Sequence, residues 1–293
     1  MRAALLLAFA LLMMAPARAA EGPVALLNAL ARLEPVRVTE DLAYADGARH
    51  RLDVYAPVSG VTKGLPVVVF FYGGSWDSGE RAMYRFVGAA LASRGMVVVI
   101  ADYRLYPQVR FPAFVEDGAR AVRWARDNAS AYGGDPSRLV LMGHSAGAQI
   151  AAMLAFDRQW LGEVRLDPRR DVAGLVGLAG PYDFLPLKSA TLKDIFGPKA
   201  ERGRSQPINF VTSEAPPAFL ATGARDTTVD PGNSTRLAAR IRAEGGEANL
   251  KVYERADHRL IIGAFSRPLR LIAPVLDDVT GFVGRVTAPE AGR

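Results

Sequence analysis

The chain has 293 residues, a formal net charge of +6, three histidines and no cysteine. Half of its residues are hydrophobic, which excludes an intrinsically disordered chain because enough apolar residues are present to form a core. The absence of cysteine excludes a disulfide scaffold, an iron–sulfur cluster and a cysteine nucleophile, and so few histidines predict no metal site.

The first twenty residues have the pattern of a secretory signal peptide. Arg2 precedes an apolar run over residues 3–15, and an Ala-x-Ala site follows at residues 17–19. The run is too short to cross a bilayer as a helix, which needs about 20 apolar residues. We therefore expect removal of residues 1–19 and a periplasmic or secreted mature chain without membrane insertion. The short Ala/Leu-rich signal is typical of bacteria.

Short apolar runs bounded by glycine or proline recur along the rest of the chain and predict strands. Continuous apolar runs of this length are typical of strands that are buried on both faces of a parallel sheet. The predicted buried strands span residues 66–71, 96–100, 139–142, 172–179, 218–222 and 250–253. Residues 50–55 instead alternate between polar and apolar types, which predicts a half-exposed strand at the edge of the sheet.

Segments with helical periodicity lie between the predicted strands. They span residues 81–93, 114–131, 146–156, 235–243 and 269–286, and Pro274 predicts a kink or a late start in the last of them. Alternating strands and helices predict a mostly parallel sheet with helices on both faces and right-handed crossovers. We expect one domain over residues 20–293, with an insertion over the end of the sheet at residues 182–217.

A Gly-x-Ser-x-Gly pentapeptide occupies residues 143–147, directly after one predicted strand and before a small-residue helix. This context predicts a nucleophile elbow, a tight turn that exposes the hydroxyl of its serine, here Ser145. Glycines two residues on either side remove side chains that would collide across such a turn. The backbone N–H of Ala146, at the helix start, is expected to point towards the oxygen of an attacked carbonyl.

A serine nucleophile needs a base, and the sequence offers three histidines. His144 lies inside the elbow, where the backbone should aim its ring away from the serine, so we expect a packed neighbour. His50 precedes every predicted buried strand and is expected on the surface. His258 follows the last predicted strand, where parallel sheets carry their active residues. We therefore predict His258 as the base.

A carboxylate must hold the tautomer of the base and stabilise the imidazolium. Asp226 follows the strand over residues 218–222 and is our preferred candidate. Asp230 is the nearby alternative, although its place before Pro231 suits a helix cap better. Asp257 is adjacent to His258 and cannot easily face its ring. The order Ser145, Asp226, His258 is the order found in one class of serine hydrolases.

The second source of oxyanion donors is predicted at residues 72–76, Tyr-Gly-Gly-Ser-Trp, which close the strand over residues 66–71. Glycines at this point let the backbone approach a ligand closely. We call residues 72–76 the oxyanion loop.

Together these residues resemble the α/β-hydrolase fold and, more narrowly, the esterases related to hormone-sensitive lipase and kynurenine formamidase. The resemblance covers about residues 51–285. It rests on the oxyanion loop, the elbow, the Asp226 and His258 segments, and residues 102–105, 111–112, 134–138 and 180–183. By position, the family's oxyanion donors correspond to the N–H groups of Gly74, Ser75 and Ala146, whereas Tyr72 stands where the family has histidine. Such enzymes often carry a cap, for which residues 20–50 and 182–217 are the candidates.

The resemblance and the predicted triad imply a serine carboxylesterase that hydrolyses small or short-acyl esters through an acyl-enzyme, without a metal or cofactor. Three alternatives stay open: an aryl-formamidase or other amide hydrolase, an acetyl or feruloyl esterase acting on polysaccharide, and an inactive hydrolase fold used for binding. The basic residues are scattered without interleaved aromatic residues, so we expect a solvated surface and no nucleic-acid partner.

Overall fold

The computed structural model describes residues 21–58, 60 and 62–288. The predicted signal peptide lies outside this range, so its cleavage stays a prediction. In the part of the chain that is described, none of the helices has the length and apolar composition that a membrane span requires.

Eight strands of the described residues form one sheet in the spatial order 1-2-4-3-5-6-7-8. They are β1 (Val36–Ala43), β2 (Arg51–Pro57), β3 (Leu65–Phe71), β4 (Val97–Ala101), β5 (Gly134–His144), β6 (Gly174–Leu178), β7 (Ala218–Gly223) and β8 (Ala248–Tyr253). The pairs β1–β2 and β2–β4 are antiparallel, and every other neighbouring pair is parallel. The prediction of a mostly parallel sheet is confirmed.

Helices cover both faces of the sheet. They are α1 (Glu21–Ala31), α2 (Arg85–Ala92), α3 (Ala113–Asn128), α4 (Ala146–Phe156), α5 (Arg158–Glu163), α6 (Pro168–Asp171), α7 (Ala190–Ile195), α8 (Gly232–Ala243), α9 (His258–Gly263) and α10 (Val275–Val286). On one face α2 and α10 pack against each other, and on the other α3 packs against α4 over β3 and β5. The strands β3, β4 and β6 are buried along their whole length, as their continuous apolar runs predict.

The predicted position of residues 50–55 at the sheet edge is wrong. The strand that they begin, β2, is buried from Leu52 to Pro57 because β1 pairs outside it and forms the edge. The sequence pattern misses β1 because its register shifts between Thr39 and Leu42, which breaks the alternation of its side chains. Residues 20–50, considered above as cap material, thus supply α1 and an edge strand.

The insertion over residues 182–217 has little regular structure. It contains α7 and two single turns of 3-10 helix, Arg202–Ser205 and Pro207–Phe210. Helix α10 begins at Val275, directly after Pro274, which is the late start that the proline predicts. The insertion leaves the sheet after the carboxyl end of β6, on the same edge as the elbow, and returns at the amino end of β7.

Candidate active site

Ser145 forms the whole of the turn between β5 and α4, since β5 ends at His144 and α4 begins at Ala146. Its φ of 53° and ψ of −124° lie in a sparsely populated region that costs about 1–3 kcal/mol and persists only where the surroundings enforce it. A Cβ atom at Gly143 would lie 2.1 Å from the carbonyl oxygen of Gly147. A Cβ atom at Gly147 would lie 2.1 Å from that of Phe71. The elbow therefore requires glycine at both positions for space.

Ser145, His258 and Asp226 are joined by hydrogen bonds. The Oγ atom of Ser145 lies 2.9 Å from Nε2 of His258, and Nδ1 of His258 lies 2.8 Å from Oδ2 of Asp226. An ionised carboxylate can only accept, so Nδ1 of His258 carries the proton and Nε2 is free to accept the hydroxyl proton of Ser145. This is the arrangement that activates a serine nucleophile.

Asp226 stays ionised beside the histidine. Burial by itself would raise its pKa, but the hydrogen bond with His258 and the backbone N–H groups of Val229 and Thr228 outweigh burial, and its pKa lies below the ordinary value. The two N–H groups donate to Oδ1 at 2.9 and 2.8 Å, which leaves Oδ2 for the histidine. The carboxylate is therefore fixed in both position and charge.

The two competing aspartates accept backbone N–H groups at the starts of helices. Asp230 accepts the N–H of Gly232 at 3.0 Å, at the start of α8. Asp257 accepts the N–H groups of Arg259 and Leu260, at 3.0 and 2.8 Å, at the start of α9. Neither carboxylate contacts the ring of His258, so Asp226 alone of the three faces it.

His144 and His50 occupy different environments from His258. The ring of His144 is buried 4.9 Å from that of His258, and its Nε2 atom donates to the carbonyl oxygen of His258 at 3.1 Å. Burial, helped by the neighbouring His258, lowers the pKa of His144 to about 3, so it is neutral. The predicted surface position of His50 is wrong: its ring is buried and its Nε2 atom lies 3.0 Å from Oδ1 of Asp117 on α3.

The oxyanion loop runs directly against the elbow. A Cβ atom at Gly73 would lie 2.9 Å from Cβ of Ser145. The N–H groups of Gly74, Ser75 and Ala146 donate to no acceptor within the described ranges. The carbonyl of Gly74 accepts the N–H groups of Asp77 and Ser78, both at 3.0 Å, and so orients the peptide unit that carries the N–H of Ser75. Free backbone donors beside a nucleophile are the elements of an oxyanion hole.

Tyr72 supports this loop from beneath. Its hydroxyl donates to Oδ1 of Asp102 at 2.8 Å and accepts from the guanidinium of Arg49 at 2.6 Å. Its ring is stacked between those of Tyr84 and Tyr103, with centroids 5.5 and 4.8 Å away. Burial raises the pKa of Tyr72 far above its usual value, so the phenol stays protonated. The sequence gives no direct signal for Arg49, although Asp102 and Tyr103 lie in a segment of the family resemblance.

A cleft of about 480 Å³ opens beside Ser145 and is lined in large part by the insertion. The oxyanion loop contributes Ser75 and Trp76 to one side. The other walls include residues 183–189 and Leu192 from the insertion, with Thr228, Val229, Asp230, Asn233 and Arg236 from the segment after β7. Over the described residues, no cluster of three or more acidic or histidine side chains could hold a metal ion.

The family model described as BD-FAE matches residues 52–241. The chain belongs to the BD-FAE family. The matched residues contain the oxyanion loop, Ser145 and Asp226, and they end before His258, whose place beside Ser145 is given by the hydrogen bonds above.

Esterases are among the relatives of this BD-FAE family member. The chain is 31% identical over 244 residues to an isoprenylcysteine alpha-carbonyl methylesterase of Arabidopsis thaliana, covering 76% of this chain and 56% of that protein. It is 32% identical over 218 residues to Esterase LipC of Mycobacterium tuberculosis, covering 68% of this chain and 54% of that protein. The chain thus spans little more than half the length of these relatives.

The fold of this BD-FAE family member is that of solved esterase structures. An esterase of Pyrobaculum calidifontis superposes with a TM-score of 0.73 at 24% identity, covering 92% of this chain and 90% of that one. The predicted α/β-hydrolase fold is confirmed.

Proposed function

We propose that the protein is a serine carboxylesterase. The observation that carries this proposal is the continuous hydrogen-bonded series from Ser145 through His258 to Asp226, with distances of 2.9 and 2.8 Å, at the edge of an open cleft. Membership of the BD-FAE family and the esterase names of the relatives support the same activity.

In the first half of the proposed reaction, Ser145 attacks the acyl carbon of the ester while Nε2 of His258 takes its proton. The N–H groups of Gly74, Ser75 and Ala146 donate to the oxygen that becomes negatively charged. Because these donors have no acceptor among the described residues, they require no rearrangement to do so. His258 then gives the proton to the leaving alcohol, and the acyl group remains on Ser145.

In the second half, His258 takes a proton from water, which attacks the acyl-enzyme and releases the carboxylic acid. Asp226 stays ionised throughout because three hydrogen bonds hold its charge. His144 carries no charge at neutral pH and takes no part in proton transfer, since its Nδ1 atom has no partner in the described residues and its Nε2–H is engaged.

The proposed substrates are esters with a small acyl or alcohol group. A cleft of about 480 Å³ lies in the lower part of the range for small-molecule sites, about 300–1,000 Å³. The Arabidopsis relative is named as a methylesterase, which agrees with a small group on one side of the bond.

Replacement of the nucleophile tests the proposal. We expect Ser145→Ala to reduce the turnover of p-nitrophenyl acetate and butyrate by about 10⁴-fold or more, because the acyl-enzyme cannot form. Its circular dichroism and unfolding midpoint should stay close to those of the wild type. The matched control is Ser93→Ala at the end of α2, whose hydroxyl bonds only the carbonyl of Ala90.

The same assay separates the alternative activities. Esters of graded acyl length are compared with an aryl formamide, and we expect esters to have the higher kcat/KM. A wild type that hydrolyses only the formamide would replace esterase by amide hydrolase. Turnover that Ser145→Ala leaves intact, or a fluorophosphonate that fails to label Ser145, would refute serine catalysis altogether.

A further inference from the structure

Gln149 is a buried polar side chain that the proposed reaction does not use. It is completely buried and lies one turn after Ser145 on α4, where every other side chain is apolar or absent. A buried amide without partners would cost about 1–3 kcal/mol, so its hydrogen bonds decide why it is there.

The amide of Gln149 joins two segments that meet at the cleft. Its Oε1 atom accepts the indole N–H of Trp76 at 3.2 Å, and its Nε2 atom donates to the carbonyl oxygen of Ser205 at 2.9 Å. An indole N–H can only donate and a backbone carbonyl can only accept, so the two partners fix which way the amide points. Neither a carboxylate nor an apolar side chain of this size could satisfy both.

Trp76 is the last residue of the oxyanion loop, and its backbone is strained. Ser75 and Trp76 have φ values of 51° and 62°, a conformation that costs residues with side chains about 1–3 kcal/mol each. Such strain persists only when contacts enforce it. The Trp76 ring packs edge-on against Phe196 with centroids 4.8 Å apart, and its indole N–H bonds Gln149. The contact with Phe196 restrains the plane of the ring, and the hydrogen bond to Gln149 restrains the distance of the indole from α4.

The other partner of Gln149, Ser205, is linked to the wall of the cleft through Gln206. Gln206, next to Ser205, donates from its side-chain amide to Oγ of Ser205 at 2.9 Å and accepts the N–H of Phe184 at 2.8 Å. Phe184 lines the cleft and stacks on Trp76, with centroids 5.9 Å apart. Hydrogen bonds through Gln149 therefore connect both the oxyanion loop and the cleft wall to α4, the helix that begins directly after Ser145.

We propose that Gln149 is a positioning residue for the oxyanion hole. It holds the strained loop at a fixed distance from α4. The N–H groups of Gly74 and Ser75 are thereby placed where they can donate to the oxyanion of a tetrahedral adduct on Ser145. The inference rests on the proposed esterase function and deepens it.

The test removes the hydrogen bonds and keeps the volume. We expect Gln149→Met to lower kcat for p-nitrophenyl butyrate by about 10- to 100-fold while KM changes less than about threefold, because misplaced donors affect the transition state more than the bound ester. Affinity for a trifluoromethyl ketone, which forms a tetrahedral adduct with serine, should fall by the same factor as kcat/KM. Rates are expressed per active site that a fluorophosphonate labels, so loss of folded protein does not count.

A second variant removes the same bond from the other side. Trp76→Phe keeps an aromatic ring and loses the indole N–H, and we expect a similar loss of kcat. The double variant should be no slower than the slower single variant, because one bond cannot be lost twice. This variant also keeps the inference testable if Gln149→Met folds poorly. The matched control is Thr287→Val, which removes another buried hydrogen bond, to the carbonyl of Val283.

The outcomes separate the two proposals. A wild type that turns over no ester overturns the esterase function. An active wild type with Gln149→Met at wild-type kcat, or strictly multiplicative losses in the double variant, overturns the role of Gln149 alone. A loss of kcat in Thr287→Val equal to that in Gln149→Met would show a general effect of lost buried hydrogen bonds and would also overturn it.

Discussion

Two histidines with neighbouring rings in this site have different hydrogen-bond partners. His258 faces the carboxylate of Asp226, whereas His144 is enclosed and offers its Nε2–H to a backbone carbonyl. The sequence alone could distinguish their roles. The position of His258 after a strand end predicts a ring that can face the serine, and the position of His144 inside the elbow predicts a packed ring. Sequence analysis could not place His50, because nothing in the sequence shows that buried Asp117 of α3 faces it across 67 residues.

The burial of His144 predicts a pH-dependent stability. Its pKa is about 3 in the fold and about 6.5 in the unfolded chain, so below pH 6.5 the unfolded chain binds a proton that the fold does not. The contribution of the buried, neutral ring to the free energy of unfolding is intact above pH 6.5. It is lost as the pH falls towards 3, at about 1.4 kcal/mol per pH unit. His144→Gln keeps a donor for the carbonyl of His258 and does not titrate.

Urea unfolding at pH 7, 6 and 5 checks this prediction. The free energy of unfolding of the wild type should fall more steeply with acidity than that of His144→Gln, and the difference between them should approach about 1.4 kcal/mol per unit below pH 6. Parallel curves would mean that His144 is protonated in the fold, which would contradict its burial.

At the scale of elements, β3, β5 and α4 pack so closely at the elbow that a Cβ atom at Gly143 or Gly147 would clash with the backbone. We expect Gly147→Ala to destabilise the protein by more than about 3 kcal/mol and to reduce ester turnover, because its Cβ atom would lie 2.1 Å from the carbonyl oxygen of Phe71 and must displace α4 or β3. The control is Gly162→Ala in α5, where a Cβ atom meets nothing within 4 Å. That variant should be neutral or stabilised by up to about 1 kcal/mol. Chemical denaturation of both measures the difference, and a tolerated Gly147→Ala would contradict the packing.

The elements that sequence analysis predicts well are those whose local pattern and tertiary environment agree. β3 and α4 match their predicted spans within a residue, because β3 is apolar throughout and α4, apart from Gln149, consists of small and apolar residues that follow the elbow. β5 is longer than its apolar run, since its first residues pair only irregularly with β3. β1 escapes prediction because the register shift between Thr39 and Leu42 breaks the alternation of its side chains. Local periodicity thus predicts the central strands and the position of β8. It misses the edge strand β1, and its prediction that β8 is buried is wrong because β8 forms the other edge of the sheet.

At the scale of the whole molecule, pairs of residues far apart in the chain complete the structure, and no local pattern predicts them. Gln149 and Trp76 are 73 residues apart, and Glu34 and Arg267 are 233 apart. Ser145, Asp226 and His258 could be predicted because each follows the end of a predicted strand, and their order is that of one class of serine hydrolases. The supporting contacts become visible only in three dimensions.

Glu34 joins the beginning of the described chain to its last third. It follows α1 and precedes β1, its side chain is 6% exposed, and it accepts a bidentate pair of hydrogen bonds from Arg267 at 2.9 Å and one from Arg270 at 3.0 Å. The hydrogen bond from Arg267 is the main cause that lowers the pKa of Glu34. The carboxylate therefore stays charged in the fold. Its contribution to the free energy of unfolding is lost only as the pH falls below the usual pKa range for glutamate.

We expect Glu34→Gln to lower the free energy of unfolding by about 1–3 kcal/mol at pH 7, because the buried carboxylate loses its charge while Arg267 and Arg270 remain. Its kcat for p-nitrophenyl butyrate should stay at the wild-type value, since the side-chain hydrogen bonds of Glu34 in the described residues go to Arg267 and Arg270, which lie outside the cleft. The matched control is Asp127→Asn, which breaks an exposed pair with Arg123 and should cost at most about 1 kcal/mol. Urea unfolding of the three proteins measures the difference. Equal losses in the free energy of unfolding in both variants would show that Glu34 contributes no more than a surface charge. In that case the edge strand β1 would be held by its strand pairing alone.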